Sequence, residues 1–216
     1  MNHTIITLWV MLNCIALTDA QTVVYEKAIN NLRLQKLRIN KNAESSLKVK
    51  LCSDLLYTSL TDTVFPSWYG TPWDFNGTSN VPGQGKIACG YFVSTTLKHV
   101  GFNLNRYKLA QQAAAIIVKA VCGEPVKRFQ SMEDTINYLR TYKNGLFIVG
   151  LDYHVGFIVV DNGEVYFVHS DYINDKVTRE KAKFSPAFNA SVGFVLGEIT
   201  DNTNLMNSWL ENTKIY

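Results

Sequence analysis

LFIVGLDYHVGFIVVDNGEVYFVHS, residues 146–170, decides the fold class. Leu146 to Gly150 and Val155 to Val160 are short runs rich in β-branched and aromatic residues, bounded by polar or Gly positions. Residues of this kind suit a pleated, largely buried surface. Asp161-Asn162-Gly163 follows. Asn-Gly is a strong hairpin signal, because both turn residues must take positive φ. Val165 to Val168 then returns as the partner strand, and Ser191 to Ile199 predicts one more.

Upstream the period is helical. Thr22 to about Leu60 carries apolar stripes interrupted near Asn40-Lys41-Asn42, which predicts two helices. Cys89 to Gly101 predicts another, with Phe92, Val93, Thr96, Leu97 and Val100 on one side and Gly101 at its end. Asn105 to Val121 reads as one Ala-rich buried helix. A further helix opens at Ser131 with a variant capping box and runs to Tyr142, and Asn204 to Asn212 closes the chain as a short helix. Helices first and antiparallel strands later make the fold class α+β.

Phe65 to Gly85 is punctuated by Gly and Pro yet holds Phe65, Trp68, Tyr69, Trp73 and Phe75. A loop loaded with aromatics reads as the wall of a cleft, with Trp68, Trp73 and Phe75 lining it.

The chain has 216 residues, 47% hydrophobic and 18% charged, enough for one packed domain and unlike a disordered chain. A net charge of +3 does not argue for a nucleic-acid partner. Ile5 to Leu17 is apolar but too short to span a bilayer, and small residues follow up to Ala20. This predicts a secretory signal over residues 1–20, cleaved near Ala20, and a secreted or periplasmic protein without an integral membrane span. Cys14 follows Asn13, where a lipoprotein would carry a small residue. Loss of the signal removes Asp19 and raises the net charge to +4. The cations from Lys27 to Lys50 read as a solvated helix face, or else as a patch for an anionic polymer. The expected organisation is a signal at 1–20, a helical extension at 21–62 and a catalytic domain at 63–216.

Cys52, Cys89 and Cys122 remain after the signal, an odd number. Pairing Cys52 with Cys122 would leave Cys89 reduced for chemistry; three small buried hydrophobes is the plainer alternative. Cys89 stands at a helix start, where the helix dipole and a nearby imidazole lower a thiol pKa. His154 and His169 lie seven residues before and six after the Asp161–Gly163 turn, so the hairpin can bring them together. A thiol, a base and a group that orients the base are the parts of nucleophilic catalysis. Asp171 is the alternative orienter. The set lacks the short Cys-x-x-Cys or His-x-x-x-His units of a zinc site, and no cofactor is called for. His99 reads as solvent-facing.

Four blocks in order resemble the NlpC-type cell-wall cysteine peptidases. They are Gly70-Thr71-Pro72-Trp73-Asp74-Phe75-Asn76-Gly77-Thr78, Ala88-Cys89-Gly90-Tyr91-Phe92-Val93, His154-Val155-Gly156-Phe157-Ile158 and Phe167-Val168-His169-Ser170. That family shows a Gly-Thr-Pro-Tyr loop, an Asp-Cys-Ser-Gly helix start, a His-Val-Gly-Ile-Tyr strand and a strand ending His-Ala-Ser. The resemblance covers about residues 66–172. It implies a papain-like fold with Cys89 as nucleophile, His154 as base and His169 as its orienting partner. It also implies an oxyanion site that includes the Cys89 backbone N–H, and peptidoglycan stem peptides as substrate, cut at a bond involving D-glutamate and a diamino acid. Ala88 stands where the family has Asp. Trp73 stands where it has a Tyr hydroxyl, so the indole N–H of Trp73, or Tyr69 or Tyr91, would supply the oxyanion donor. The alternatives are a papain-like amidase or acyltransferase with a non-wall substrate, and a decayed envelope-binding module.

Overall fold

A computed structural model describes residues 21–44 and 46–216 in full, and the backbone alone of residues 2–20 and Ser45. The signal sequence expected over residues 1–20 therefore lies outside the fully described residues. Among the described residues no helix is long and apolar enough to cross a membrane.

The fold is α+β. Helices α1 (Asn2–Asn42) and α2 (Ser45–Ser59) lead through a π-turn at Leu60–Val64 into the short α3 (Phe65–Trp68). After an irregular loop come α4 (Cys89–His99), α5 (Arg106–Ala110) and α6 (Ala114–Cys122). Strand β1 (Lys127–Phe129) and helix α7 (Met132–Leu139) precede β2 (Gly145–Gly150), β3 (Val155–Asp161), β4 (Glu164–Asp171) and β5 (Lys176–Lys181). The chain closes with α8 (Pro186–Asn189), β6 (Phe194–Glu198) and α9 (Thr203–Leu210). All six strands form one antiparallel sheet, ordered β1-β6-β2-β3-β4-β5.

The hairpin forms where the sequence places it. Asn162 and Gly163 both take positive φ, 50° and 79°, which a two-residue turn of matching twist requires. Ser131 caps α7 by accepting from the Asp134 N–H, and its hydroxyl donates to the Asp134 carboxylate. That helix ends at Leu139, short of Tyr142. The Ala-rich stretch is two short helices and is only partly buried, not one buried helix.

The sheet buries side chains on both faces. One face packs Phe157, Val159, Val168 and Val177 against Phe65, Phe92, Leu97 and the helical segment Tyr25, Ile29, Leu32, Leu56 and Leu60. The other packs Ile158, Val160, Val165 and Phe167 under Leu139, Phe188 and Phe194. Helices α1 and α2 thus contribute to the same core as the sheet. Trp68 is fully buried there, with its indole donating to the Tyr25 hydroxyl at 3.3 Å, so it does not line a cleft as its loop composition suggests. Of the cations on α1 and α2, Lys27, Arg33, Arg38, Lys41 and Lys50 are exposed, while Lys36 lies 4.9 Å from the Trp209 ring.

His99 is not solvent-facing. Its Nδ1 shares a 2.8 Å hydrogen bond with the Tyr25 hydroxyl, and its Nε2 lies 3.3 Å from the Asn80 side-chain oxygen. Burial, with the charges of Arg106, Arg33 and Lys98, lowers its pKa to about 4. The folded protein therefore takes up this proton near pH 4, whereas the unfolded chain takes it up near the ordinary value of about 6.5. The stability contributed by the neutral ring is full above about pH 6.5 and is lost as pH falls toward 4. We expect His99→Gln to remove an acid-side loss of about 2 kcal/mol, read from urea unfolding of both proteins at several pH values.

Candidate functional site

Two carbonyl-directed ties and one side-chain tie fix the start of α4. The Ile87 N–H donates to Pro72 O and the Ala88 N–H to Gly77 O, both at 2.9 Å. The buried Ser170 hydroxyl of β4 donates to Ile87 O at 2.6 Å. Gly90 in the first turn of α4 packs so closely on the Ala110 carbonyl that a Cβ would collide with it. Arg106 holds the same loop from behind. Its guanidinium donates to Thr78 O, Ser79 O and the Asn80 side chain, and lies over the rings of Tyr91 and Tyr107.

Cys89 and His154 line one cavity of about 870 Å³, within the ordinary range for a ligand site. Trp73, Phe75, Tyr91, Tyr153 and Tyr172 supply its aromatic walls, and among the described residues no carboxylate, Lys or Arg lines it. Tyr153 is 99% exposed and Phe75 80%, so the rim presents bare rings to solvent. Trp73 is held by its backbone, which donates to Asp175 O at 2.9 Å, and its ring faces Tyr172 with centroids 6.4 Å apart. Tyr91 lines the cavity, and its hydroxyl accepts from Gln111 at 3.3 Å. Tyr69 lies in a separate groove beside Gln21, Asp62 and Pro66.

The Cys89 sulfur sits against the backbone N–H groups of Val155, Gly90 and Cys89 itself. Burial pushes its pKa up, and these three donors offset that only in part. The expected lowering by the helix dipole and an imidazole is therefore outweighed by desolvation. The His154 pKa is well below the ordinary value, first by burial and then by the neighbouring His169. At neutral pH the cavity thus holds a neutral thiol and a neutral imidazole.

His154 is 4% exposed and immediately precedes β3. Its Nε2 lies 2.8 Å from Nδ1 of His169, which is fully buried on β4. Gly156 makes this approach possible, since a Cβ there would meet Phe167 at 2.6 Å and the His169 Cβ at 2.8 Å. The His169 ring stacks on Phe167 at 4.0 Å and 16°. Its Nε2 lies 3.1 Å from the Glu180 carboxylate of β5.

Asp171 is engaged in the turn that follows it. Its two carboxylate oxygens accept from the Ile173 N–H and the Asn174 side chain, closing the turn into β5. His169, Asp171 and Glu180 could each offer a metal one ligand atom within 4.8 Å of the others. Both ring nitrogens of His169 and both oxygens of Asp171 are already in hydrogen bonds, so this is a hydrogen-bonded cluster rather than an open ligand set.

Cys52, Cys89 and Cys122 are all free thiols, so the suggested Cys52–Cys122 bridge is absent. Burial raises Cys52 to about 11 and pushes Cys122 up as well; both behave as small core hydrophobes. Glu180 escaped the sequence reading. Lys176 to Lys181 is mostly charged, with Val177 and Thr178 its uncharged residues, yet it pairs with β4 as an edge strand, setting Glu180 opposite Phe167. No family model, curated protein or solved structure matches this chain.

Proposed function

We propose that this protein is an exported cysteine peptidase or amidase of papain-like, NlpC-type character, acting on peptidoglycan stem peptides through a thioester. The observation that carries the reading is the shared cavity of Cys89 and His154, with Nε2 of His154 bonded to His169. In this mechanism the Cys89 sulfur attacks the amide carbon while His154 accepts the thiol proton. The C–N bond breaks as that proton passes to the leaving amine. Water, deprotonated by His154, then cleaves the thioester to a carboxylic acid and the free thiol. His154 need only be neutral and near the sulfur for this, and its depressed pKa keeps it neutral at pH 7.

The developing oxyanion has two candidate donors, the Cys89 backbone N–H and the Trp73 indole N–H. Among the described residues no group accepts from that indole. We expect Trp73→Phe to lower turnover by about 10²–10³-fold with unchanged folding. A variant with full kcat would reduce Trp73 to a wall of the cleft. Export is part of the proposal: mass spectrometry of secreted protein should find the N-terminus near Gln21, and a retained Met1 would contradict it.

The test of substrate is digestion of purified disaccharide-peptides, followed by chromatography and mass spectrometry. New products with a free amine and a free carboxylate are expected; identical profiles with and without protein would overturn the wall-peptide reading. A second reading, an amidase for a neutral non-wall amide, is favoured because, among the described residues, no Lys, Arg, Asp or Glu lines the cleft. D-Glutamate and diamino-acid carboxylates would find no cation there. Comparing amidated with free-carboxylate peptides separates the two.

A further inference from the structure

Glu180 ends a continuous line of hydrogen bonds that starts in the cleft. His154 Nε2 meets His169 Nδ1 at 2.8 Å, and His169 Nε2 meets Glu180 Oε1 at 3.1 Å. Each neutral imidazole has one donor nitrogen and one acceptor nitrogen, and an ionised carboxylate can only accept. With both rings neutral, these two rules leave one arrangement. His169 must donate to Glu180 from Nε2, so its Nδ1 is bare. His154 must then donate from Nε2 into that bare nitrogen, so its own Nδ1 is bare and is the nitrogen left to take a proton from Cys89.

We propose that Glu180 is a positioning residue that sets the tautomers of both histidines and thereby makes His154 Nδ1 the base. The inference rests on the thiol–imidazole reading above and deepens it. Glu180 touches neither sulfur nor substrate; it acts through His169.

The surroundings suit this role. His169 is fully buried and pinned by the Phe167 ring, so it cannot turn to find another partner. The Glu180 side chain is 22% exposed. Burial pushes its carboxyl up, but hydrogen bonds from His169 and Ser185 outweigh this and hold it below the usual value, so the acceptor-only form persists at neutral pH. The Ser185 hydroxyl comes from the residue that caps α8, giving the carboxylate a second anchor. The other titratable groups facing the line are Cys89 on α4, Asp171 on β4 and Tyr172 beyond it. Asp171 is engaged by Ile173 and Asn174 and does not compete for either ring.

The arrangement also spans the sheet. Glu180, Phe167 and His169 share one face, whereas Ser170, between them in sequence, points to the opposite face and holds the start of α4. The base therefore receives its orientation from the side of the sheet remote from the nucleophile's helix.

The direct test is long-range ¹H–¹⁵N NMR of the histidine rings in the whole protein at pH 7.5. Both His154 and His169 should show the Nε2–H tautomer. A dominant Nδ1–H tautomer at His169 would overturn the proposal. The functional test needs no substrate: the rate of iodoacetamide alkylation at Cys89 as a function of pH, resolved from Cys52 and Cys122 by peptide mapping. A carboxylate that orients a catalytic His directly is worth about 10⁴ in rate. One residue further away, Glu180→Gln should slow Cys89 alkylation by about 10-fold at pH 7.5 and move the profile, because Gln can donate as well as accept. Glu180→Asp, which keeps an acceptor-only group, should recover part of that loss, and circular dichroism should be unchanged in both. If Glu180→Gln reacts like the parent while His154→Ala is slowed, the relay is wrong and the thiol–imidazole pair stands. If His154→Ala is also unslowed, the pair itself is wrong, and the relay falls with it.

Discussion

Cys89→Ala is expected to abolish amide turnover, by on the order of 10⁵–10⁶-fold, while the protein melts within a few degrees of the parent. In the proposed mechanism only the sulfur can form the covalent bond. Its neighbours, the N–H groups of Val155, Gly90 and Cys89, are backbone donors that survive the change. They and the cleft continue to bind substrate, so KM should move far less than kcat. The start of α4 is held by Ile87, Ala88 and Ser170 and by the Gly90–Ala110 contact, none of which involves the sulfur. A steady-state assay of parent and variant, with a thermal melt of each, checks both halves of this expectation.

His154→Ala should be nearly as severe, within about 10-fold of Cys89→Ala. With burial raising the thiol pKa, little thiolate exists near pH 7, and a base must remove the proton during attack. In the proposed mechanism the same ring then protonates the leaving amine. Because the two residues act as one unit, the double variant should be little worse than either single variant. A resting neutral pair also predicts that Cys89 alkylation rises with pH on the alkaline side. The low-pH plateau of a preformed thiolate–imidazolium pair should be absent. His169→Ala should be milder, and His169→Gln milder still, since Gln can accept from His154 Nε2. Asp171→Ala should affect turnover least, because its carboxylate serves the Ile173–Asn174 turn. A ranking with Asp171 above His169 would reassign the third member.

What the sequence showed and what it hid follow from the range of the forces involved. The β3–β4 hairpin was legible because Asn162-Gly163 carries its own turn geometry and the flanking runs bury on both faces. Helix α4 was legible because its apolar stripe faces a core. The separation of α5 from α6 was not, since Gln111-Gln112 contains no local breaker. That region is shaped from outside, by Gly90 against Ala110 and by Arg106 reaching the 78–80 carbonyls. Strand β5 was hidden because an edge strand can carry Lys, Arg and Glu in place of an apolar pattern. Glu180 was hidden with it. His99 looked polar and free because its partner, Tyr25, lies 74 residues away. Trp68 was read from its Gly/Pro-rich neighbourhood, yet α3 turns it into the core. Cysteine parity suggested a bridge, but Cys52 is buried in the core and Cys122 packs against it, both as free thiols.

The most direct measurement of the central claim is to trap the thioester. The parent protein would be mixed with a disaccharide-peptide it turns over, quenched in acid, and mapped by mass spectrometry at the Cys89 peptide. The account predicts an acyl adduct on Cys89 equal in mass to the substrate less its leaving amine, lost on standing at neutral pH and absent in Cys89→Ala, which also shows no turnover. Turnover by Cys89→Ala at the parent rate, with no adduct on Cys89 in the parent, would contradict it.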